Sequence, residues 1–372
     1  MKVCTKCIQP DTRPGIVFDK DGVCPPCRFA ERHDMIDWKA RRRELDELAT
    51  FGRSRNVSGY DCIVSVSGGK DSTRQALFVR DELKLRPLLV SCAYPPEHVT
   101  ERGVRNLANL ISLGFDCITA TPSPTAWKSM VRRGFYEHGN IVKSCEMALY
   151  ITAPKVSIAY HIPLICLGEN PAISLGALEV RSTSGDANRM KHSYTLQGGA
   201  ESVRTADVRE EDLYWYRYPS DDEMRWAKMR IFYLGYYVKD FNRFANAKFA
   251  IEHGLEVRRD SPTNTGTYYN FESLDNDFSL VNQMLKFFKY GFGRASDQLC
   301  EAIRLGLMSR EKAISLARKY DGRCGPKYIR EFCRYIGIGE REFWRVADSY
   351  RNRKIWEEDG RGRWHIKKEY QL

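Results

Sequence analysis

The chain has 372 residues, 42% of them hydrophobic and 12% aromatic, which suits one large or two ordinary globular domains and excludes a disordered chain. The net charge of +11 favours anionic partners such as nucleotides, sugar nucleotides, tRNA or a membrane surface, although it can also serve solubility alone. The first residues, MKVCTKCIQPDTRPG, lack the apolar core of a signal peptide, and no run reaches the roughly 20 apolar residues of a membrane span, so we expect a cytoplasmic protein.

Two C-x-x-C pairs come first along the chain, Cys4 with Cys7 and Cys24 with Cys27. Two such pairs on a short loop can bring four thiolates into a tetrahedron around Zn²⁺. We interpret residues 1–31 as a structural zinc ribbon, in which metal binding orders a module too small for its own core. A disulfide framework is not expected, because the cytoplasm is a reducing compartment. The alternatives to zinc are redox-active or chance thiol pairs and an iron–sulfur cluster.

A charged linker helix is predicted over residues 32–58, and strands and helices alternate after it. The strands are predicted at 60–67, 87–94, 115–121 and 163–170, and the helices at 71–83, 100–114 and about 125–160 with an interruption near Gly139. This alternation predicts an α/β domain over residues 59–200, with a parallel sheet covered by helices on both faces. Residues 201–372 have the pattern of a mostly helical C-terminal region.

The segment SGGKDS ends the first predicted strand and begins the helix that follows it. Glycines let a backbone approach a bulky anion, and the free N–H groups at a helix start suit phosphate oxygens. Lys70 adds positive charge there, whereas Asp71 either holds Mg²⁺ or caps the helix. The residues expected to bind a nucleotide in this segment are Ser67, Gly68, Gly69, Lys70, Asp71 and Ser72.

The spacing of this segment is neither that of a Walker A loop nor G-x-G-x-x-G. It resembles the S-G-G-x-D-S pyrophosphate loop (PP-loop) of the N-type ATP pyrophosphatases, whose fold is the Rossmann-like adenine nucleotide alpha hydrolase type. Enzymes of that group split ATP between the α and β phosphates and leave AMP on a carbonyl oxygen. The resemblance implies ATP and Mg²⁺ at the loop and catalytic roles for Lys70 and Asp71.

Two further stretches narrow the resemblance. CLGENPA places Gly168, Glu169 and Asn170 after a predicted strand, and GFGRASD carries Arg294 and Asp297. With the cysteine pairs and the loop, they resemble, along nearly the whole chain, the bacterial N-acetyl sugar amidotransferases of lipopolysaccharide O-antigen and related surface-sugar biosynthesis. The resemblance implies catalytic roles for Glu169, Arg294 and Asp297 and nucleotide contacts for Gly168 and Asn170. Alternatively, Glu169 and Asn170 only form a turn, and Arg294 and Asp297 form an i,i+3 salt bridge on a helix.

Enzymes of this family convert an acetamido group of a nucleotide-activated sugar into an acetamidino group. The resemblance therefore implies an ATP-dependent C–N ligase that forms AMP and pyrophosphate on a UDP-linked N-acetyl sugar. It also implies a glutaminase subunit and a barrel-shaped ammonia-channelling subunit, both similar to the pair used in histidine biosynthesis. Lys2 occupies the position where an N-terminal-nucleophile glutaminase needs cysteine, and no G-x-C-x-G elbow is present, so we expect ammonia to come from such partners.

Two other functions fit parts of the sequence. A tRNA thiolation enzyme of the same superfamily would also suit the paired cysteines and the net charge of +11. Such enzymes usually carry further cysteines near the active site; Cys145 at a helix start could supply a stabilised thiolate, but Ala148 stands where a second cysteine would complete a pair. We therefore do not expect nucleic acid as the partner. A non-enzymatic zinc-ribbon module with a degenerate nucleotide domain is the third reading.

Overall fold

The structure is a computed structural model that describes residues 2–168, 185–192 and 195–371. Two predicted site residues, Glu169 and Asn170, lie outside the described residues. Among the described helices, none combines the length and the apolar character that crossing a membrane requires.

Five parallel strands form the central sheet, in the order β3-β2-β1-β4-β5. They are β1 Cys62–Ser65, β2 Pro87–Cys92, β3 Cys117–Ala120, β4 Leu164–Leu167 and β5 Arg230–Tyr233. Every residue of β2 and β4 is buried, as expected for parallel strands covered on both faces. The predicted α/β fold with a parallel sheet is confirmed.

Helices account for most of the remaining regular structure. The α-helices are α1 Pro25–Arg32, α2 Trp38–Ser54, α3 Lys70–Asp81, α4 Glu101–Ser112, α5 Pro124–Arg133, α6 Lys143–Tyr160, α7 Asp221–Trp226, α8 Arg243–Glu252, α9 Pro262–Thr265, α10 Phe278–Tyr290, α11 Arg294–Arg304, α12 Arg310–Tyr320, α13 Pro326–Ile336 and α14 Glu340–Ser349. The interruption predicted near Gly139 is a π-helical turn, Gly134–His138, followed by Gly139 in the left-handed conformation. An antiparallel hairpin, β6 Trp356–Glu358 with β7 Trp364–Ile366, lies near the C-terminus.

The fifth strand comes from beyond residue 200, where the sequence placed the end of the α/β domain. Strand β5 pairs in parallel with β4, with Leu164 opposite Arg230 and Leu167 opposite Tyr233. Residues 201–372, predicted as mostly helical, therefore also complete the sheet. A four-residue strand carries too little periodicity to be recognised without its pairing partner.

Hydrophobic cores lie on both faces of the sheet. One buries Ile63 and Ile165 against α5, α6, α10 and α13, and the other buries Val64 and Leu89 against α2 and α3. A third, smaller core joins the four N-terminal cysteines to Leu299 and other apolar residues of α11 and α12. The N-terminal module thus packs on the C-terminal helices and shares a hydrophobic core with them.

The order of the strands reverses between β1 and β4, which are neighbours in the sheet. In open parallel sheets the connections leave this point in opposite directions, so a crevice opens at the carboxyl ends of the two strands. The segment that begins with Ser67 follows β1, and Gly168 follows β4 directly. The fold therefore brings two of the predicted site segments to one crevice.

Candidate functional site

The turn between β1 and α3 has a conformation that requires glycine. Gly68 has a φ of +80°, and a β-carbon on it would come within 2.7 Å of the Leu107 amide nitrogen in α4. Gly69 is the N-cap of α3, and the Ser67 amide donates to Ser72 Oγ at 2.9 Å, which closes the turn. The first amide groups of α3 therefore face a turn without bulky side chains, an arrangement suited to a phosphate group.

The two charged residues of the turn are held by neighbours. Lys70 Nζ donates to Asp71 Oδ2 at 2.7 Å, and Asn246 Nδ2 donates to Asp71 Oδ1 at 2.8 Å. Asn246 lies buried on α8, which packs along α3. Sequence reasoning missed Asn246, because nothing in its own segment signals a site; only the packing of α8 brings it to Asp71.

Gly168 allows β4 to approach α3 closely. Gln75 Nε2, on α3, donates to the Cys166 carbonyl at 2.6 Å. A β-carbon on Gly168 would come within 2.5 Å of Gln75 Oε1. Gly168 thus leaves room for the Gln75 side chain, and it also lines a cavity at the crevice.

Two neighbouring cavities open at this crevice. The first, of about 330 Å³, is lined by Cys92, Glu146 and Gln283 among others, and we call it the sheet cavity. The second, of about 300 Å³, is lined by Gly68, Gly69, Lys70 and other residues, and we call it the loop cavity. Both cavities are lined by Ser67, Asp71, Ser72, Ser273, Asp275 and Arg294.

One wall of the loop cavity carries a network of buried charges. Arg243 Nη1 donates to Glu272 Oε1 at 2.6 Å and its Nε donates to Glu301 Oε2 at 2.7 Å, while Arg294 Nη1 lies 3.5 Å from Glu272 Oε2. Burial alone would raise the pKa of Glu272, but Arg243, Arg294 and Lys70 lower it to about 2. The ionised Glu272 therefore pairs with Arg243 and Arg294 and is also stabilised electrostatically by Lys70, so three cations lie around the loop cavity.

Arg294 and Asp297 are separated in the structure. Arg294, the first residue of α11, lines both cavities, and its Nε has no hydrogen-bond partner among the described residues. Asp297 lines neither cavity; it forms ion pairs with Arg13 and with Lys286 Nζ, the latter at 2.5 Å. Asp297 thus anchors the N-terminal module to α11, and the ion-pair partner of Arg294 is Glu272 and not Asp297.

Asn276 is a site residue that the sequence did not indicate. Its side chain is only 1% exposed and lines the sheet cavity. Its Oδ1 accepts hydrogen bonds from the amides of Phe278 at 2.8 Å and Ser279 at 3.3 Å, which orients the amide group. Its Nδ2 has no hydrogen-bond partner of normal geometry in the described part of the chain. The Tyr94 hydroxyl is a neighbouring polar group of this side chain.

A buried histidine reinforces this orientation. His98 Nδ1 accepts from Trp127 Nε1 at 3.0 Å, so the histidine proton is on Nε2, which lies 2.9 Å from Asn276 Oδ1 and donates to it. Burial lowers the pKa of His98 to about 4, which keeps the ring neutral near neutrality. The contacts from His98 and from the two backbone amides therefore fix the orientation of the Asn276 amide group.

Two neighbouring residues in the first turn of α6 have different environments. Cys145 is fully buried, its Sγ donates to the Ile141 carbonyl at 3.7 Å, and burial raises the pKa of the thiol well above its ordinary value. Glu146 instead projects into the sheet cavity, where the surrounding protein raises the pKa of its carboxyl group and Arg294 opposes that rise. Cys145 at the start of this helix is therefore a buried, protonated thiol and does not supply an activated thiolate.

The four N-terminal cysteines form a candidate metal centre. The sulfur atoms of Cys4, Cys7, Cys24 and Cys27 are buried and lie within 4.8 Å of one another. The Cys24 amide donates to Cys4 Sγ at 3.2 Å, and the Gln9 amide donates to Cys7 Sγ at 3.4 Å. Four buried sulfur ligands that also accept backbone hydrogen bonds fit a closed site for a metal such as zinc.

One family model matches the C-terminal part of the chain. A family model described as "LPS biosynthesis protein WbpG-like, C-terminal domain" matches residues 265–370. No curated protein matches the chain. The matched segment contains Glu272, Asp275, Asn276 and Arg294, which line the cavities. The match associates the chain with lipopolysaccharide biosynthesis.

Proposed function

We propose that the chain is an ATP-dependent amidotransferase of the PP-loop superfamily that converts an acetamido group of a UDP-linked N-acetyl sugar into an acetamidino group in O-antigen biosynthesis. The observation that carries the proposal is the loop cavity, in which the glycine turn after β1 faces Lys70, Arg243 and Arg294 at the reversal of strand order. The match to an LPS biosynthesis domain supports the biological setting.

The chemistry explains why an amidotransferase needs ATP. An amide carbon is a poor electrophile, and oxide is a poor leaving group. In the proposed reaction the amide oxygen attacks the α phosphorus of ATP, pyrophosphate leaves, and the oxygen becomes part of an AMP ester. Ammonia then adds to the carbon, the C–O bond to AMP breaks, and a C–N bond remains in the amidine.

The residues of the two cavities suit the two halves of this reaction. In the loop cavity the amides of the turn, with Lys70, Arg243 and Arg294, would hold the β and γ phosphates. Asp71 and Asp275, which line both cavities, are the carboxylates that would hold Mg²⁺. That ion would offset charge on the reacting phosphates. The roles implied for Glu169 and Asn170 stay predictions.

The residues that line the sheet cavity favour amidotransfer over the alternative thiolation reaction. Cys92 is the one cysteine among the described residues that line either cavity, and burial raises the pKa of its thiol to about 12. A thiol with such a pKa remains protonated at neutral pH and is a poor nucleophile. Polar groups without sulfur, namely Glu146, Asn276 and Gln283, also line this cavity.

The source of ammonia is part of the proposal. Near neutral pH free ammonia is mostly ammonium, which has no lone pair, so a partner must deliver it unprotonated. We propose a glutaminase and a barrel-shaped channelling subunit for this task. Turnover with glutamine is therefore expected only when these partners are present, whereas an ammonium salt at alkaline pH should support turnover by the chain alone.

The decisive experiment follows the phosphates and the sugar together. The chain is incubated with ATP, Mg²⁺, ammonium salt and a panel of UDP-linked diacetamido sugars, and mass spectrometry should detect exchange of one oxygen for an NH group, with equal amounts of AMP and pyrophosphate. Lys70→Ala should lower the rate by about 10²-fold or more, because it removes a charge from the phosphate site. Lys39→Ala, an exposed lysine on α2, is the control. Formation of ADP and orthophosphate during turnover would contradict the proposal.

A further inference from the structure

Among the described residues, Glu146 is the one carboxylate that lines the sheet cavity and not the loop cavity. It lines the sheet cavity only, whereas Gly68, Gly69 and Lys70 line the loop cavity only. Its side chain is exposed to the cavity even though protein surrounds it on most sides. A group placed in this way can meet a ligand without touching the phosphates.

The neighbours of Glu146 leave its carboxylate available. Thr195 Oγ1 donates to its Oε2 at a long 3.5 Å, and within the described residues it forms no ion pair. Arg294 acts on it electrostatically from α11, and Tyr94 and the buried Cys145 are the other titratable groups that interact with it. Arg294 lines both cavities.

Two of the other carboxylates that line the cavities, Asp71 and Glu272, already have charged partners. Asp71 accepts from Lys70 and Asn246, and Glu272 accepts from Arg243 and lies beside Arg294. Asp275 lines both cavities, so it also lies beside the loop cavity, where we propose that the phosphates bind. Glu146 is therefore the one described carboxylate that lines only the sheet cavity, and it has no charged hydrogen-bond partner among the described residues.

We propose that Glu146 is the catalytic base that takes a proton from the attacking nitrogen during amidine formation, an inference that rests on the proposed function. When ammonia adds to the carbon that bears the AMP ester, the new nitrogen carries a positive charge and three protons. This –NH3⁺ group leaves readily as ammonia. The adduct therefore reverts to the AMP ester unless a proton is removed from the nitrogen. Removal of that proton commits the adduct to lose AMP.

The proton balance of the step is closed. One proton moves from the adduct nitrogen to the Glu146 carboxylate, the nitrogen lone pair forms the C=N bond, and the C–O bond to AMP breaks with its electrons on the phosphate oxygen. Glu146 then passes the proton to the departing AMP phosphate or to solvent. Because burial raises the pKa of this carboxyl group above its ordinary value, it is a stronger base than an exposed glutamate.

The test separates the two half-reactions in the full-length chain. Adenylation is measured as exchange of radiolabelled pyrophosphate into ATP in the presence of the UDP-linked diacetamido sugar that the wild-type chain converts. Amidination is measured as amidine formation with ammonium salt. In Glu146→Gln we expect the exchange to remain within about twofold of the wild type, while amidine formation falls by about 10²–10⁴-fold, the usual contribution of a general base.

A change of nucleophile distinguishes a base from a merely structural residue. The adduct of hydroxylamine has a more acidic nitrogen than that of ammonia and loses its proton to water more readily. The deficit of Glu146→Gln should therefore shrink by about tenfold or more with hydroxylamine. Glu137→Gln, an exposed glutamate just before α6, is the matched control and should behave as the wild type.

Each result decides the assignment. Unchanged amidine formation in Glu146→Gln, a loss of exchange equal to the loss of amidine formation, or an equal deficit with both nucleophiles would overturn the role of Glu146 while leaving the adenylation mechanism intact. Absence of both amidine formation and pyrophosphate exchange in the wild-type chain with every sugar of the panel would overturn the proposed function itself, and the role of Glu146 would fall with it.

Discussion

Gly68 combines two constraints that usually occur separately. Its φ of +80° belongs to the left-handed region, and its α-carbon faces the Leu107 amide so closely that a β-carbon would lie at 2.7 Å. Gly306 has a similar φ of +71°, but no atom lies within 4 Å of the position of a β-carbon. Conformation alone therefore requires glycine at Gly306, whereas both conformation and packing require it at Gly68.

This pair gives a matched prediction. Gly306→Ala should lower the free energy of unfolding by about 1–2 kcal/mol, the cost of a left-handed alanine. Gly68→Ala should cost more and should also abolish ATP binding, since the turn must move away from α4. Urea unfolding and calorimetric titration with ATP measure the two effects. Equal costs in both variants, with ATP binding unchanged, would contradict the role of the turn.

At the scale of elements, α8 connects the sheet domain with the C-terminal helices. It packs along α3, supplies Asn246 to Asp71, and begins with Arg243, which pairs with Glu272 and with Glu301 of α11. Arg243 and both glutamates are nearly inaccessible to solvent. Buried ion pairs add modest net stability, but removal of one partner leaves uncompensated charges behind.

Arg243→Ala should therefore lower the free energy of unfolding by about 3–5 kcal/mol, because two buried carboxylates lose their counter-ion. Arg42→Ala on α2 is the control: its partner Asp46 lies at 2.9 Å, but both side chains are about half exposed, and the expected loss is below about 1 kcal/mol. Urea unfolding at neutral pH measures both values. Similar losses in the two variants would contradict the network.

The network also predicts a pH dependence. The pKa of Glu272 is about 2 in the folded chain and about 4.3 in an unfolded one. The ionised carboxylate therefore contributes stability above about pH 4.3, and this contribution is lost as the pH falls toward about 2. Glu272→Gln should remove part of the acid-induced loss of stability between these pH values. An unchanged acid profile would contradict the low pKa.

At the scale of the whole molecule, the N-terminal residues contact the C-terminal helices that contribute to the site. Arg13 forms an ion pair with Asp297, Thr12 Oγ1 donates to the Tyr290 carbonyl at 2.5 Å, and Arg310 Nε donates to the Cys7 carbonyl at 3.1 Å. The cysteine cluster shares its core with α11, whose first residue is Arg294. These contacts connect the N-terminal module to α11, so we expect order in that module to influence the position of Arg294.

Loss of one of the four candidate metal ligands should consequently affect the distant site. Cys27→Ser is expected to lower the metal content and the melting temperature, to speed amide hydrogen exchange in α11, and to weaken ATP binding. Structural zinc contributes about 10–16 kcal/mol to small peptide modules. Cys117→Ser, a half-buried cysteine on β3, is the control. Metal-free protein with unchanged melting and unchanged exchange in α11 would contradict the coupling.

The sequence by itself determined the features that depend on local order. Alternating strands and helices indicated the parallel sheet, paired cysteines indicated the candidate metal centre, and the SGGKDS segment indicated the turn that lines the loop cavity. Such patterns are legible because side-chain periodicity and turn conformation are set by a few adjacent residues.

Only the tertiary structure decided which distant residues meet at the site. It separated Asp297 from Arg294 and paired it with Arg13, and it brought Asn246, Asn276 and Glu146 to the crevice from three different segments. It also completed the sheet with β5 from beyond residue 200. The physical reason is that these contacts depend on how helices pack across the sheet, a property that no periodicity within a single segment encodes.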